Sequence, residues 1–175
     1  DCLHRYRNRL DLAFSDENTA SLDGNREVAR LEGKMALKAE DGSNNNERIV
    51  LRFCALWAEQ KVDAMIEHFA DDGEYIDMPL PPRRGLKEIR DYIEGIFRTF
   101  TCEIETIRIA SNGNVVFTER IDYLTRVDGE KPTVPLPVAG VFEMKDGKIQ
   151  RWRDYLDLGT AERGLGLVIR SSGEM

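Results

Sequence analysis

The sequence predicts an α+β fold, with N-terminal helices packed on a strongly curved, mixed but mainly antiparallel sheet. Three observations carry that reading. Apolar residues recur at helical spacing through Ile49, Val50, Phe53, Cys54, Leu56 and Trp57, and again through Leu86, Ile89, Ile93, Ile96, Phe97 and Phe100. From Cys102 onward the period changes to two. The breaks in that alternation fall at Ser111-Asn112-Gly113, Asp128-Gly129 and Asp146-Gly147, the residue types that close antiparallel hairpins. Helices first and antiparallel strands afterwards is the α+β layout.

Taken in order, residues 1–45 are charged, hold few large apolar side chains and end in a Gly/Ser/Asn run. They read as an N-terminal extension and linker, partly helical over Asn25–Lys38, with the folded domain spanning 46–175. The first domain helix runs through Ile49–Trp57. A second, short helix covers Val62–Phe69 and stops at Asp71-Asp72-Gly73. Glu74–Met78 reads as a strand with Tyr75 and Asp77 on one face. Pro79, Pro81 and Pro82 hold the next residues extended, because proline fits neither a helix interior nor a central ladder. Gly85–Phe100 returns to helix. Strands follow at 102–110, 114–126, 133–144 and 148–157, and Thr160–Ile169 is a short helix or an irregular tail.

Composition narrows the function. The 175 residues are 41% hydrophobic and 33% charged, with a net charge of −7. That balance argues against a nucleic-acid or anionic-membrane surface. No apolar run approaches the ~20 residues that a membrane helix needs. The three cysteines (Cys2, Cys54, Cys102) are odd in number and show no CxxC spacing, which points to free thiols in a reducing, cytoplasmic setting. Only two histidines occur, His4 and His68. A multi-histidine metal site or a Ser-His-Asp mechanism is therefore poorly supplied. There is no phosphate-binding glycine loop. Chemistry must come from carboxylates, Arg, Tyr and Trp.

The sharpest clue lies in Arg151-Trp152-Arg153-Asp154-Tyr155-Leu156-Asp157. Alternation puts Trp152, Asp154 and Leu156 on one face, and a carboxylate between an indole and a leucine needs compensation. The partner is expected one strand earlier, where Arg120 and Asp122 share a face with Leu124. Asp122, Arg120 and Asp154 are thus expected to meet in one pocket. Trp57, Ile96, Phe100, Leu124, Leu136, Val138, Trp152 and Leu156 would complete its lining, with Trp57 and Phe100 bulky enough to narrow it. An apolar lining implies an apolar ligand.

Four pieces in order (Tyr75-x-x-Met78-Pro79-Leu80-Pro81-Pro82, Thr118-Glu119-Arg120-Ile121-Asp122, Gly140-Val141-Phe142 and Trp152-Arg153-Asp154-Tyr155) resemble the limonene-1,2-epoxide hydrolase family of the nuclear-transport-factor-2-like, or SnoaL-like, superfamily. The resemblance runs from about residue 47 to residue 157. It implies a cone-like α+β barrel, a buried pocket and a homodimer, and hydrolysis of an epoxide to a diol in one step with neither a metal nor a cofactor. By resemblance, Asp154 is the base that deprotonates water and Asp122 the acid that protonates the epoxide oxygen. Arg120 lies between them, Tyr75 helps position the water, and Trp152 is wall and scaffold. The chain departs from the family at Asp77, where the family has an asparagine that helps hold the water; a protonated Asp77 would imitate that amide.

Three function classes stay open to the sequence: an epoxide hydrolase, a SnoaL-like isomerase or cyclase using the same carboxylates, and a non-catalytic small-molecule binder. The partners expected are a small apolar epoxide, water and a second copy of the chain, with no nucleic acid and no membrane.

Overall fold

The computed structural model describes residues 36–169. Cys2, His4 and most of the expected N-terminal extension lie outside the described residues. Residues 36–44 run as an irregular segment with one 3-10 turn at Ala39–Asp41, and the Leu37 amide donates to the Thr106 carbonyl at 2.9 Å.

Helix α1 spans Asn45–Glu59. Asn44 caps it by accepting from the Glu47 amide at 3.1 Å, while the Glu47 carboxylate reaches back to the Ser43 amide at 2.7 Å. Val50, Phe53, Cys54 and Trp57 form its buried stripe. Gln60, in the left-handed region, ends it. Helix α2 is only Val62–Ile66, shorter than the sequence predicts. His68 falls just beyond it, its Nδ1 paired with the Ala64 carbonyl at 2.8 Å.

The residues that α2 gives up belong to strand β1, Phe69–Met78. Phe69 pairs with Ile149, and the register slips before Glu74. The Asp71-Asp72-Gly73 signal, read from sequence as a helix stop, is therefore an irregularity inside a strand. Gly73 is needed there: a Cβ would stand 2.9 Å from the Ala70 carbonyl oxygen. A two-residue strand β2, Arg83–Arg84, pairs antiparallel with β1, and helix α3 follows as Gly85–Thr99 with Ile89 and Ile93 fully buried.

Strands β3 (Phe100–Asn112), β4 (Val115–Arg126), β5 (Val134–Lys145) and β6 (Lys148–Leu156) form the expected antiparallel meander. Helix α4 then spans Leu158–Leu165, capped by Asp157, which accepts from the Gly159 amide at 3.0 Å. The whole sheet is mixed and ordered β2-β1-β6-β5-β4-β3, with one parallel pair, β1 with β6. It is not closed: β2 and β3 form its edges.

One placement differs from the sequence reading in a way that matters. Strands β4 and β6 are not neighbours, because β5 runs between them. The Arg120–Asp154 contact has to cross a strand.

Candidate active site

Three ladder registers bring the polar residues to one face. Asp77 lies opposite Asp154, Asp154 opposite Gly140, and Gly140 opposite Thr118. One layer along, Tyr75 lies opposite Trp152 and Trp152 opposite Phe142. The period-two rule turns all of them inward, and each is buried. Tyr75 stacks on Trp152 at 4.1 Å between centroids and 4° between planes, and Phe142 stacks on the other neighbour's side at 5.3 Å and 13°.

Arg120, 1% exposed, bridges two carboxylates. Its Nε and Nη2 donate to the two oxygens of Asp122 at 2.9 and 3.1 Å, and Nη2 also donates to Oδ2 of Asp154. The crossing over β5 is possible because residue 140 has no side chain. A Cβ on Gly140 would run into Nη1 of Arg120, 2.6 Å from the Thr118 hydroxyl and 3.1 Å from Oδ1 of Asp154. The Trp152 indole N–H donates to that same Oδ1 at 2.5 Å, so both oxygens of Asp154 are held.

Asp77 forms the third acidic corner. The Tyr92 hydroxyl, from α3, donates to its Oδ2 at 2.6 Å, and the Tyr75 hydroxyl hydrogen-bonds it as well. The Arg83 guanidinium lies 3.9 Å over the Tyr92 ring.

Burial dominates the electrostatics. Desolvation pushes Asp154 up to about 7, against the opposing pull of Arg120. Desolvation likewise raises Asp77, opposed by the hydrogen bonds from Tyr92 and Tyr75. Burial works against the charge of Arg120, yet Asp122 and Asp154 keep its pKa well above the ordinary value. The cluster therefore combines a permanent cation with two carboxylates, Asp77 and Asp154, that hold protons more tightly than in water.

The carboxylates open into a compact cavity of about 70 Å³. Of the residues expected to line it, Trp57, Ile96, Phe100, Leu124, Leu136, Trp152 and Leu156 do so, together with Tyr75, Asp77, Asp122 and Asp154. Arg120 sits behind the carboxylates. Val138 is the exception: it is 4% exposed but packs in the core beside Arg120, its cross-strand partner, and does not reach the cavity. Sequence reasoning missed Tyr92, Leu80, Cys102, Ile104, Leu158, Ala161 and Ile169, which also line it. The helical stripe of α3 held the only signal for Tyr92, which stands three residues after Ile89 on the helix flank. Cys54 is core, as expected; Cys102 is a cavity thiol whose burial raises its pKa well above the ordinary value.

The model of the limonene-1,2-epoxide hydrolase catalytic domain matches residues 44–164. The epoxide hydrolase EphG of Mycobacterium tuberculosis is 35% identical over 109 residues, which cover 61% of this chain and 69% of that protein. The solved structure of an M. tuberculosis epoxide hydrolase of the limonene-1,2-epoxide hydrolase-like type superposes with a TM-score of 0.61 at 29% identity, covering 69% of this chain and 89% of that one. An NTF2-like protein from Burkholderia pseudomallei, 14% identical, superposes at a TM-score of 0.64 over 70% of this chain and 98% of its own, a likeness of fold alone. The family match takes in the helices, the sheet and all five polar residues of the cavity, so the chain belongs to the limonene-1,2-epoxide hydrolase family and is an epoxide hydrolase of that type.

Proposed function

We propose that this enzyme hydrolyses a small, mainly apolar epoxide, cyclic or terpenoid-like, to a vicinal diol in a single step, with water as nucleophile and without a cofactor. In this reading Asp154 takes a proton from water as the water oxygen forms its bond to an epoxide carbon. The carbon–oxygen bond of the ring breaks, and Asp122 gives its proton to the departing oxygen. A proton then passes from Asp154 back to Asp122 to restore the starting state. Arg120 holds both carboxylates and keeps Asp154 charged while Asp122 carries the proton; Tyr75 and Asp77 hold the water. The observation that carries the proposal is the one guanidinium shared by two buried carboxylates at the wall of an apolar cavity. Acid and base in fixed relation are what ring opening needs. The compact cavity favours a substrate at the small, cyclic end of that class.

Two settings belong to the same proposal. The outer face of the sheet supports a homodimer, since it carries Phe117 and Tyr155 at 46% and 45% exposure. The buried free thiols of Cys54 and Cys102 support a reducing, cytoplasmic location. No helix among the described residues is long and apolar enough to cross a membrane. The family match, which starts at residue 44, supports treating 46–175 as the catalytic domain and 1–45 as an appended arm.

The test is turnover of cyclic and terpenoid epoxides in oxygen-18 water, comparing the parent with Asp154→Asn and Asp122→Asn. Labelled diol is expected from the parent, with each variant at least ~100-fold slower. An isomeric product without solvent oxygen, or an Asp154→Asn variant of undiminished rate, would overturn the mechanism. The pH profile is a second check. Asp154 works in its ionised form, so kcat/KM is expected to be low under acid conditions and to rise through about pH 7. A rise centred near the ordinary carboxylate range would remove Asp154 as the base.

A further inference from the structure

Asp77 is a cavity carboxyl held by hydroxyls and not by a cation. Arg120 pairs with Asp122 and Asp154 but not with Asp77, which lies opposite Asp154 across the β1–β6 ladder. A second anion there would stand beside the carboxylate that has to take a proton from water. Two like charges in a buried site relieve that repulsion by keeping one proton between them. A cation at Asp77 would act the other way and favour its ionisation. What Asp77 has instead are phenols: the Tyr92 hydroxyl donates to Oδ2 at 2.6 Å, and the Tyr75 hydroxyl is its other hydrogen-bond partner. A neutral donor orients a carboxyl without bringing a charge to it.

The surroundings of Tyr92 give that bond a set direction. Tyr92 stands on α3, which packs against β1, and reaches Asp77 from there. The Arg83 guanidinium lies 3.9 Å over its ring, and Nη1 of Arg83 donates in turn to the Pro81 carbonyl. Tyr75 meets the same ring edge-on at 5.5 Å and 65°. Tyr75, Tyr92, Asp77 and Asp154 all line the cavity. The two oxygens of a carboxylic acid are distinguished only by where the proton sits. A fixed hydroxyl donating to Oδ2 makes that oxygen the carbonyl end, and the proton falls to Oδ1.

We propose that Tyr92 is a positioning residue for ring opening: by donating to Oδ2 it fixes the Asp77 carboxyl in one orientation, with the proton on Oδ1, where it hydrogen-bonds the water that Asp154 activates. This rests on the hydrolase reading for the water but not for the hold of Tyr92 on Asp77. Tyr92 acts only through Asp77.

Two measurements test this. Single-turnover diol formation, at saturating enzyme so that affinity does not enter the rate, is compared in the parent, Tyr92→Phe, Asp77→Ala and the double variant. The substrate is whichever cyclic or terpenoid epoxide the parent turns over fastest. Tyr92→Phe is expected to slow the parent about tenfold, the weight of one hydrogen bond. In the Asp77→Ala background the same substitution should cost less than about threefold. An undiminished rate in Tyr92→Phe overturns the proposal. So does a tenfold loss that persists without Asp77, since the hydroxyl would then act directly or through packing. The second measurement needs no turnover, and it decides where Asp77→Ala is too slow to compare. Infrared difference spectra at neutral pH, taken against Asp77→Asn, isolate the C=O stretch of the protonated Asp77 carboxyl. In Tyr92→Phe that band should move to higher frequency, because a carbonyl relieved of a donor is stiffer. No such band, or a band that stays in place, overturns the proposal. The two readings fail separately. A band that moves while the parent forms no diol from any epoxide removes the hydrolase mechanism and leaves the hold of Tyr92 on Asp77; diol from the parent with an unmoved band does the reverse.

Discussion

Asp77 is the residue at which charge and position pull against each other. It lies beside Asp154 across the parallel β1–β6 pair and takes the Tyr92 hydroxyl at 2.6 Å. Burial, the largest cause, raises its pKa above the ordinary carboxylate value. The folded state thus binds this proton more tightly than the unfolded state. Its contribution to stability is full at low pH and is lost as pH rises through the raised folded value. Asn has the same shape, does not titrate, and can still accept from Tyr92 through its carbonyl oxygen. Asp77→Asn should therefore melt close to the parent only below about pH 4, where the carboxyl is protonated in both states, and above it at neutral pH, the gap widening until the raised folded value is passed. Diol formation at neutral pH should be kept or increased, which a thermal melt series and a rate assay together would check. A collapse of activity would sink the idea that a protonated Asp77 acts as an amide mimic. Asp154 was legible in the sequence because Trp152 and Leu156 flank it at strand period, which leaves a carboxylate no apolar alternative to a partner. Tyr92 was not, because a tyrosine at the flank of a helical stripe reads the same whether its hydroxyl meets solvent or a carboxylate.

At the level of elements, periodicity gave the meander and both long helices, and local turn chemistry misplaced the start of β1. Asp71-Asp72-Gly73 has the same composition whether it ends a helix or bends a strand; the pairing of Phe69 with Ile149 decides between them, and that pair is distant in sequence. The expected adjacency of β4 and β6 failed for a related reason. Alternation reports which face a residue takes but not which strand lies next, and the gap over Gly140 that lets Arg120 span β5 is visible only once the three strands are in register. Helix α4 shows how an element with a weak apolar pattern shapes the site. Leu158 and Ala161 line the cavity, and Gly164 seats the helix against β5, where a Cβ would meet the Val134 side chain at 2.6 and 2.8 Å. Val134 is branched at Cβ and 8% exposed, so it has little freedom to withdraw. Gly164→Ala should therefore lift α4 from the sheet, at a cost of about 1–3 kcal/mol. The expected signature is a lower Tm and a KM raised several-fold, with kcat within about twofold of the parent, because the carboxylates stand on other strands. An unchanged KM would show that α4 is not a wall of the substrate site.

For the whole molecule, the sheet divides two tasks between its faces. The inner face takes the alternating positions Thr118, Arg120 and Asp122 on β4, Val138 and Gly140 on β5, and Trp152 and Asp154 on β6, all buried. The outer face of the same strands places Phe117 opposite Val141, Ile121 opposite Pro137, and Ala139 opposite Tyr155. Charged pairs interleave with these positions: Glu119, opposite Ala139, pairs with Arg108, and Arg153, opposite Val141, pairs with Glu143. Apolar side chains gathered on an exposed sheet face, with charged pairs among them, suit an association surface. Because each strand alternates, a substitution at an outer position leaves the inner one untouched. Phe117→Glu should thus separate the proposed dimer into monomers, halving the mass seen by sedimentation velocity at micromolar concentration. Its neighbours Val116 and Thr118, which point inward, should keep the core and the Arg120 layer in place. Diol formation per protomer should then stay within a few-fold of the parent. A parent that sediments as a monomer, or a variant that keeps the parent's mass, would remove the outer sheet face as the interface. Monomers that lose activity altogether would instead mean that the two faces are coupled, with the partner stiffening the strands that hold Arg120 across β5.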